Sequence, residues 1–108
     1  MKILFDQGTP VPLRRALHEH DTITAFERGW HVLQNGDLLN APQADGFAAV
    51  ITTDQSLRYQ QNLPERQVAI VVLMTTNWRL ISQHTDHVAR AIAALASGAY
   101  IELHFPPQ

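Results

Sequence analysis

Residues 68–73 read Val-Ala-Ile-Val-Val-Leu, an unbroken apolar run rich in β-branched side chains. A strand of this composition has no face to offer water, so it belongs inside a sheet covered on both sides. Shorter runs of strand length at 2–5 and 47–52 alternate with helical patterns. That alternation is the mark of a mostly parallel sheet between two helical layers, a three-layer α/β/α sandwich with five strands. At 108 residues and 45% hydrophobic content, the chain has room for one such domain, 1–108, with a core of its own.

The remaining elements follow from local signals. Thr9 is placed to cap a helix that runs to about His18, with Pro10 at its first position. Thr-Ile-Thr-Ala at 22–25 makes a weaker strand. Asn35 or Asp37 caps a helix through Leu38, Leu39 and Ala44 that Gly46 stops, with Pro42 expected to kink or shorten it. A short helix is expected over 56–62. Asn77 caps a long one over 78–96, whose buried stripe is Ile81, His84, Val88, Ile92 and Leu95. Residues 100–105 alternate like an edge strand.

Several classes drop out. The N-terminal apolar run is short and ends in Asp6, so it is expected to be a buried strand, neither a signal peptide nor a membrane span. With no cysteine, disulfides and thiolate metal sites are excluded, in keeping with a cytoplasmic protein. The net charge of −2 offers no broad basic surface for nucleic acid. If three of the ten acids hold a metal ion, the other seven face eight basic residues and the balance is about +1, which leaves RNA binding open.

The carboxylates carry the chemistry. Asp6 ends the first expected strand, Asp54 follows the third, and Asp37 opens the helix after the second, so all three belong to one rim of the sheet. In open parallel sheets ligands bind at that rim. Crowded carboxylates raise one another's pKa unless a cation lies between them, and hard ions such as Mg²⁺ or Mn²⁺ prefer oxygen ligands. Each acid also has an ordinary role, Asp6 and Asp54 in capping the next turn and Asp37 as a favourable charge at a helix start.

Ile3-Leu4-Phe5-Asp6-Gln7, Asn35-Gly36-Asp37-Leu38-Leu39, Ala44-Asp45-Gly46-Phe47 and Thr52-Thr53-Asp54-Gln55, continued by Asn62 and Ile70-Val71-Val72-Leu73, resemble the short PIN-like proteins of bacterial genomes. The resemblance covers nearly the whole chain. It implies a sheet order of 3-2-1-4-5, metal-binding and catalytic roles for Asp6, Asp37 and Asp54, and hydrolysis of RNA phosphodiesters with Mg²⁺ or Mn²⁺. It further implies a homodimeric toxin held by a cognate antitoxin, with no membrane partner. Larger PIN nucleases usually carry a fourth acid after strand four. Here that stretch is Met74-Thr75-Thr76-Asn77-Trp78, where Asn77 either holds a water or ligand or simply caps a helix.

Arg28, Arg58, Asn62 and Asn77 are expected near the rim as substrate contacts, against the alternative of an ordinary solvated surface. Trp30 either stacks on a base or covers the sheet. His84 and His87 have ligand spacing but no third partner. Receiver domains also place an aspartate after strand three, yet they need an acidic pair near strand one and a lysine after strand five, and Lys2 is the only lysine. The chief competing function is a PIN-like binding module that no longer cuts.

Overall fold

Ile3 and Phe5 point to one side of the first strand and Leu4 to the other, and all three are buried. That strand, β1 (Lys2–Phe5), therefore needs cover on both faces. The computed structural model describes residues 1–33, 35–60 and 66–106, the side chains of 35–37 and 58–60 excepted. Beside β1 lie β2 (Asp21–Thr24), β3 (Ala49–Thr52), β4 (Ala69–Leu73) and β5 (Tyr100–Leu103). All pairings are parallel, and every residue of β3 and β4 is buried.

One face of the sheet is covered by a 3₁₀ helix at Val11–Leu17, by α2 (Trp78–Ile81) and by α3 (Thr85–Ala93). Leu13, Leu17, Ile81, Val88 and Ile92 pack there on Ile3, Phe5, Ile51 and Val71. On the other face, α1 (Asn35–Ala44) and a second 3₁₀ helix (Gln55–Gln60) set Leu38, Leu39 and Leu57 on Leu4, Val50, Ile70 and Val72. Helices are numbered along the chain. Each large aliphatic side chain fully withdrawn from water contributes about 1.5–3 kcal/mol. This is the expected α/β/α sandwich.

The strand order corrects the expectation of 3-2-1-4-5: it is β2-β1-β3-β4-β5. Burial decides it. β3 is apolar on both faces and takes an interior place, whereas β2, with Asp21 exposed and its other residues half-buried, tolerates the edge.

The last crossover is also unusual. From β2 to β3 to β4 the chain steps across the sheet in one direction beneath α1 and the second 3₁₀ helix. From β4 to β5 it steps the same way, but α2 and α3 lie on the opposite face. That connection therefore has the opposite hand, where uniform handedness holds in about 98% of such units. The short first 3₁₀ helix leaves much of its face uncovered, and α3 packs beside it there.

Three helical details differ from expectation. Residues 11–17 wind as a 3₁₀ helix with Pro10 in the capping position, while Thr9 turns inward. Pro10 and Pro12 lack N–H donors, which weakens any α-helical start. The expected long helix 78–96 is two, because bonds such as His84 N–H to Ile81 O (2.9 Å) tighten its first part and the Ser82 hydroxyl donates to Arg79 O at 2.8 Å. α1 runs two residues past Pro42 and stops before Gly46, whose φ of +81° suits a residue without Cβ. Among the described residues no helix is long and apolar enough to cross a membrane.

Candidate functional site

β1 and β3 are neighbours, yet the chain leaves them toward opposite faces: from β1 into the first 3₁₀ helix, from β3 into the second. A crevice opens where neighbouring strands part in this way, and ligands of open α/β sheets bind there. Asp6 directly follows β1, and Asp54 lies two residues beyond β3. The corrected strand order thus sets the two acids on either side of the crevice.

Their environment is built from neutral donors. The Gln7 N–H donates to Asp6 Oδ1 at 2.7 Å and the Thr52 hydroxyl to Oδ2 at 2.7 Å. Thr52, wholly buried, also accepts the Asp54 N–H at 2.9 Å, so it ties the two aspartates together. Ser56 donates its N–H (2.9 Å) and its hydroxyl (2.6 Å) to Asp54 Oδ1. The Asp6 N–H donates to Ile51 O at 2.9 Å, and the Thr9 hydroxyl donates to the same oxygen at 2.9 Å. Between them Gly8 turns at φ +95°, where a Cβ would stand 2.9 Å from Thr53 Oγ1. The loop over the crevice needs glycine there.

Among the described residues, neither Asp6 nor Asp54 has an ion-pair partner. Burial pushes the Asp6 carboxyl above its ordinary 3.8; the bonds from Thr52 and Gln7 pull it down in part, and the Asp54 charge adds to the rise. Both carboxylates line an open cleft of about 690 Å³ together with Gln7, Gly8, His31, Leu33, Leu38 and Ser56.

The other predicted residues scatter. Asp37 lies in the first turn of α1, next to cleft-lining Leu38, but its side chain is outside the described residues. The side chain of Arg58 and all of Asn62 are outside them as well. Arg28 is not at the cleft: its guanidinium pairs with Asp45 at 2.8 Å and lies over Trp30 and Phe47. Its length carries it down the sheet to Asp45, which Lys2 also approaches at 3.5 Å. Asn77 caps α2, its side chain accepting the Leu80 N–H at 3.3 Å. Trp30 covers the sheet, edge-on to Phe47 at 5.8 Å. His84 and His87 pack around Phe105.

Among the described residues no three His, Asp or Glu side chains form a metal-ligating group. Asp6 and Asp54 nevertheless supply what a hard divalent cation uses: carboxylate oxygens, no competing cation among the described residues, and open space beside them. Mg²⁺ takes one or two carboxylates and keeps waters for its other positions. Thr52, Ser56 and His31 are site residues that carried no role in the sequence expectations. The Thr52-Thr53-Asp54-Gln55-Ser56 run held a signal for two of them, since Asp-x-Ser favours a side-chain turn and a threonine ending a buried strand needs a polar partner. His31 had none.

No protein-family model, no curated protein and no solved structure matches this chain.

Proposed function

We propose that the protein is a PIN-like, divalent-metal-dependent endoribonuclease working from the cleft beyond β1 and β3. One observation carries this: two carboxylates without ion-pair partners among the described residues, joined through a buried threonine, flank the crevice at which the chain departs to opposite faces. A carboxylate that burial disfavours as an anion and that no described arginine or lysine neutralises suits a cation-binding role. Asp6 and Asp54 would hold Mg²⁺ or Mn²⁺, with Asp37 completing the set or orienting the attacking water. Such an ion, when bound, lowers the pKa of its water and neutralises charge developing on the phosphodiester.

The chain's own groups do the positioning. Thr52 and the Gln7 N–H fix the Asp6 carboxylate, Ser56 fixes that of Asp54, and Leu33 and Leu38 make one wall of the cleft apolar. The wider setting in this proposal is a cytoplasmic homodimeric toxin neutralised by a partner antitoxin. A receiver role is disfavoured, because the only lysine, Lys2, sits at the opposite end of β1 from Asp6.

A second reading, a binding module that no longer cuts, draws support from the rim after β4. No acid stands there, and the Asn77 amide is engaged as a helix cap. Melting followed through an Mn²⁺ titration, with cleavage of a single-stranded RNA assayed in parallel, separates the two. A competent site gains about 2.7 kcal/mol at a metal concentration a hundred times its Kd, and Asp6→Asn loses both the shift and the cleavage. Absence of both in the parent protein at millimolar metal favours the binding module.

A further inference from the structure

We infer that Phe26 and His31 form a stacking platform for an unpaired nucleobase of the RNA, beside the carboxylate cleft. This rests on the ribonuclease proposal and names how its substrate is gripped.

Phe26 is anomalous. Large apolar side chains of the described chain are mostly buried, but Phe26 leaves 75% of its surface in water and is the one aromatic among the few strongly exposed. It stands in the turn after β2, where polar residues and glycine usually serve, and it fills no core. Its ring is instead held by the exposed His31 imidazole, with centroids 5.0 Å apart and planes inclined by 37°.

The location gives the pair a purpose. Phe26 lines a groove of about 440 Å³ with Asp6, Gln7, Gly8, Val11 and Arg14. His31 lines the neighbouring cleft with Asp6 and Asp54. Asp6, Gln7 and Gly8 border both, so one track runs along the rim from the aromatic pair to the carboxylates.

Charge argues for the occupant. Arg14, the cation in that groove, already donates to Glu27 and to Thr22 O (2.9 Å), and Glu27 also accepts the Thr24 N–H at 2.9 Å. Among the described residues the groove therefore has no free cation to draw an anion. A neutral flat ring suits it, while the phosphate belongs at the metal. Aromatic stacking holds single strands with little regard to base identity.

The test is binding of a fluorescein-labelled single-stranded RNA of about a dozen nucleotides, in Ca²⁺ to prevent cleavage, to the full-length protein. Phe26→Ala and Phe26→Leu weaken binding about tenfold or more, Phe26→Trp holds it within about threefold, and none moves the melting temperature appreciably because the ring is exposed. Scanning one abasic nucleotide along the RNA gives a matching loss at one position with the parent protein and none with Phe26→Ala. Unchanged affinity in Phe26→Ala, with the parent binding normally, overturns the platform and leaves the nuclease proposal standing. No RNA binding by the parent protein overturns both. Loss of self-association by sedimentation in Phe26→Ala, at unchanged RNA affinity, overturns the platform and assigns the surface to a second copy of the chain.

Discussion

Asp45 and Asp6 stand at opposite ends of the strands and are held in opposite ways. Asp45, past the end of α1, meets Lys2 Nζ at 3.5 Å and Arg28 Nη2 at 2.8 Å, and its carbonyl takes a further bond from Lys2. Among the described residues Asp6 meets only a hydroxyl and a backbone N–H, with Asp54 close enough to oppose its ionisation. Where the strands begin, the chain neutralises its own charge. Where β1 and β3 end, it provides orientation without neutralisation. On the ribonuclease proposal, that difference separates an acid kept for structure from one left for a ligand.

The largest expected effect tests this contrast directly. If the protein is the proposed ribonuclease, Asp6→Asn and Asp54→Asn each lower metal-dependent RNA cleavage at least about a hundredfold, a typical loss when one electrostatic element of a site is removed. Asp45→Asn leaves the rate within about twofold, and it lowers stability by no more than about 1 kcal/mol because the ion pairs are partly exposed and screened by water. Equal losses at the two ends would break the comparison.

Next comes the residue that joins the two aspartates. Thr52→Val strips the donor from Asp6 and the acceptor from the Asp54 N–H, which costs about 1–3 kcal/mol by urea denaturation. It also drives the Asp6 carboxyl higher, since the bond that restrains the rise is gone. Thr52→Ser keeps the hydroxyl and recovers most of the site's function. Gly8→Ala should cost about 1–2 kcal/mol, from left-handed strain and the contact with Thr53 Oγ1, and should weaken metal binding as the loop shifts.

The smallest effect is the most diagnostic of Asp6. Its folded pKa is raised, so between 3.8 and the raised value the native state holds more proton than the unfolded chain. In metal-free protein this group's contribution is therefore full below that interval and declines as pH rises through it. Urea midpoints measured against pH should show the decline in the parent protein and lose it in Asp6→Asn. A slope that persists in the variant would assign it to another group.

Much of this was legible residue by residue. The run at 68–73 announced a doubly buried strand, and the shorter apolar runs at 2–5 and 47–52 supplied two more, because a buried parallel strand has no polar option. The break in the 78–96 helix was not legible, since Ser82 and His84 are acceptable helix residues and only bonds formed in place tighten that turn. Arg28 was misplaced because a long side chain reaches any acid within its span, and the spacing of Arg28 and Asp45 in the chain says nothing of their meeting.

Composition and pattern alone determined a layered α/β domain with aspartates where the first and third strands end, because burial periodicity is a local property of the chain. The tertiary structure alone decided that β3 rather than β4 lies against β1, that the final crossover takes the opposite hand, and that Thr52 ties Asp6 to Asp54. Strand neighbours are chosen by competition among all faces for burial, a global balance that no single segment encodes.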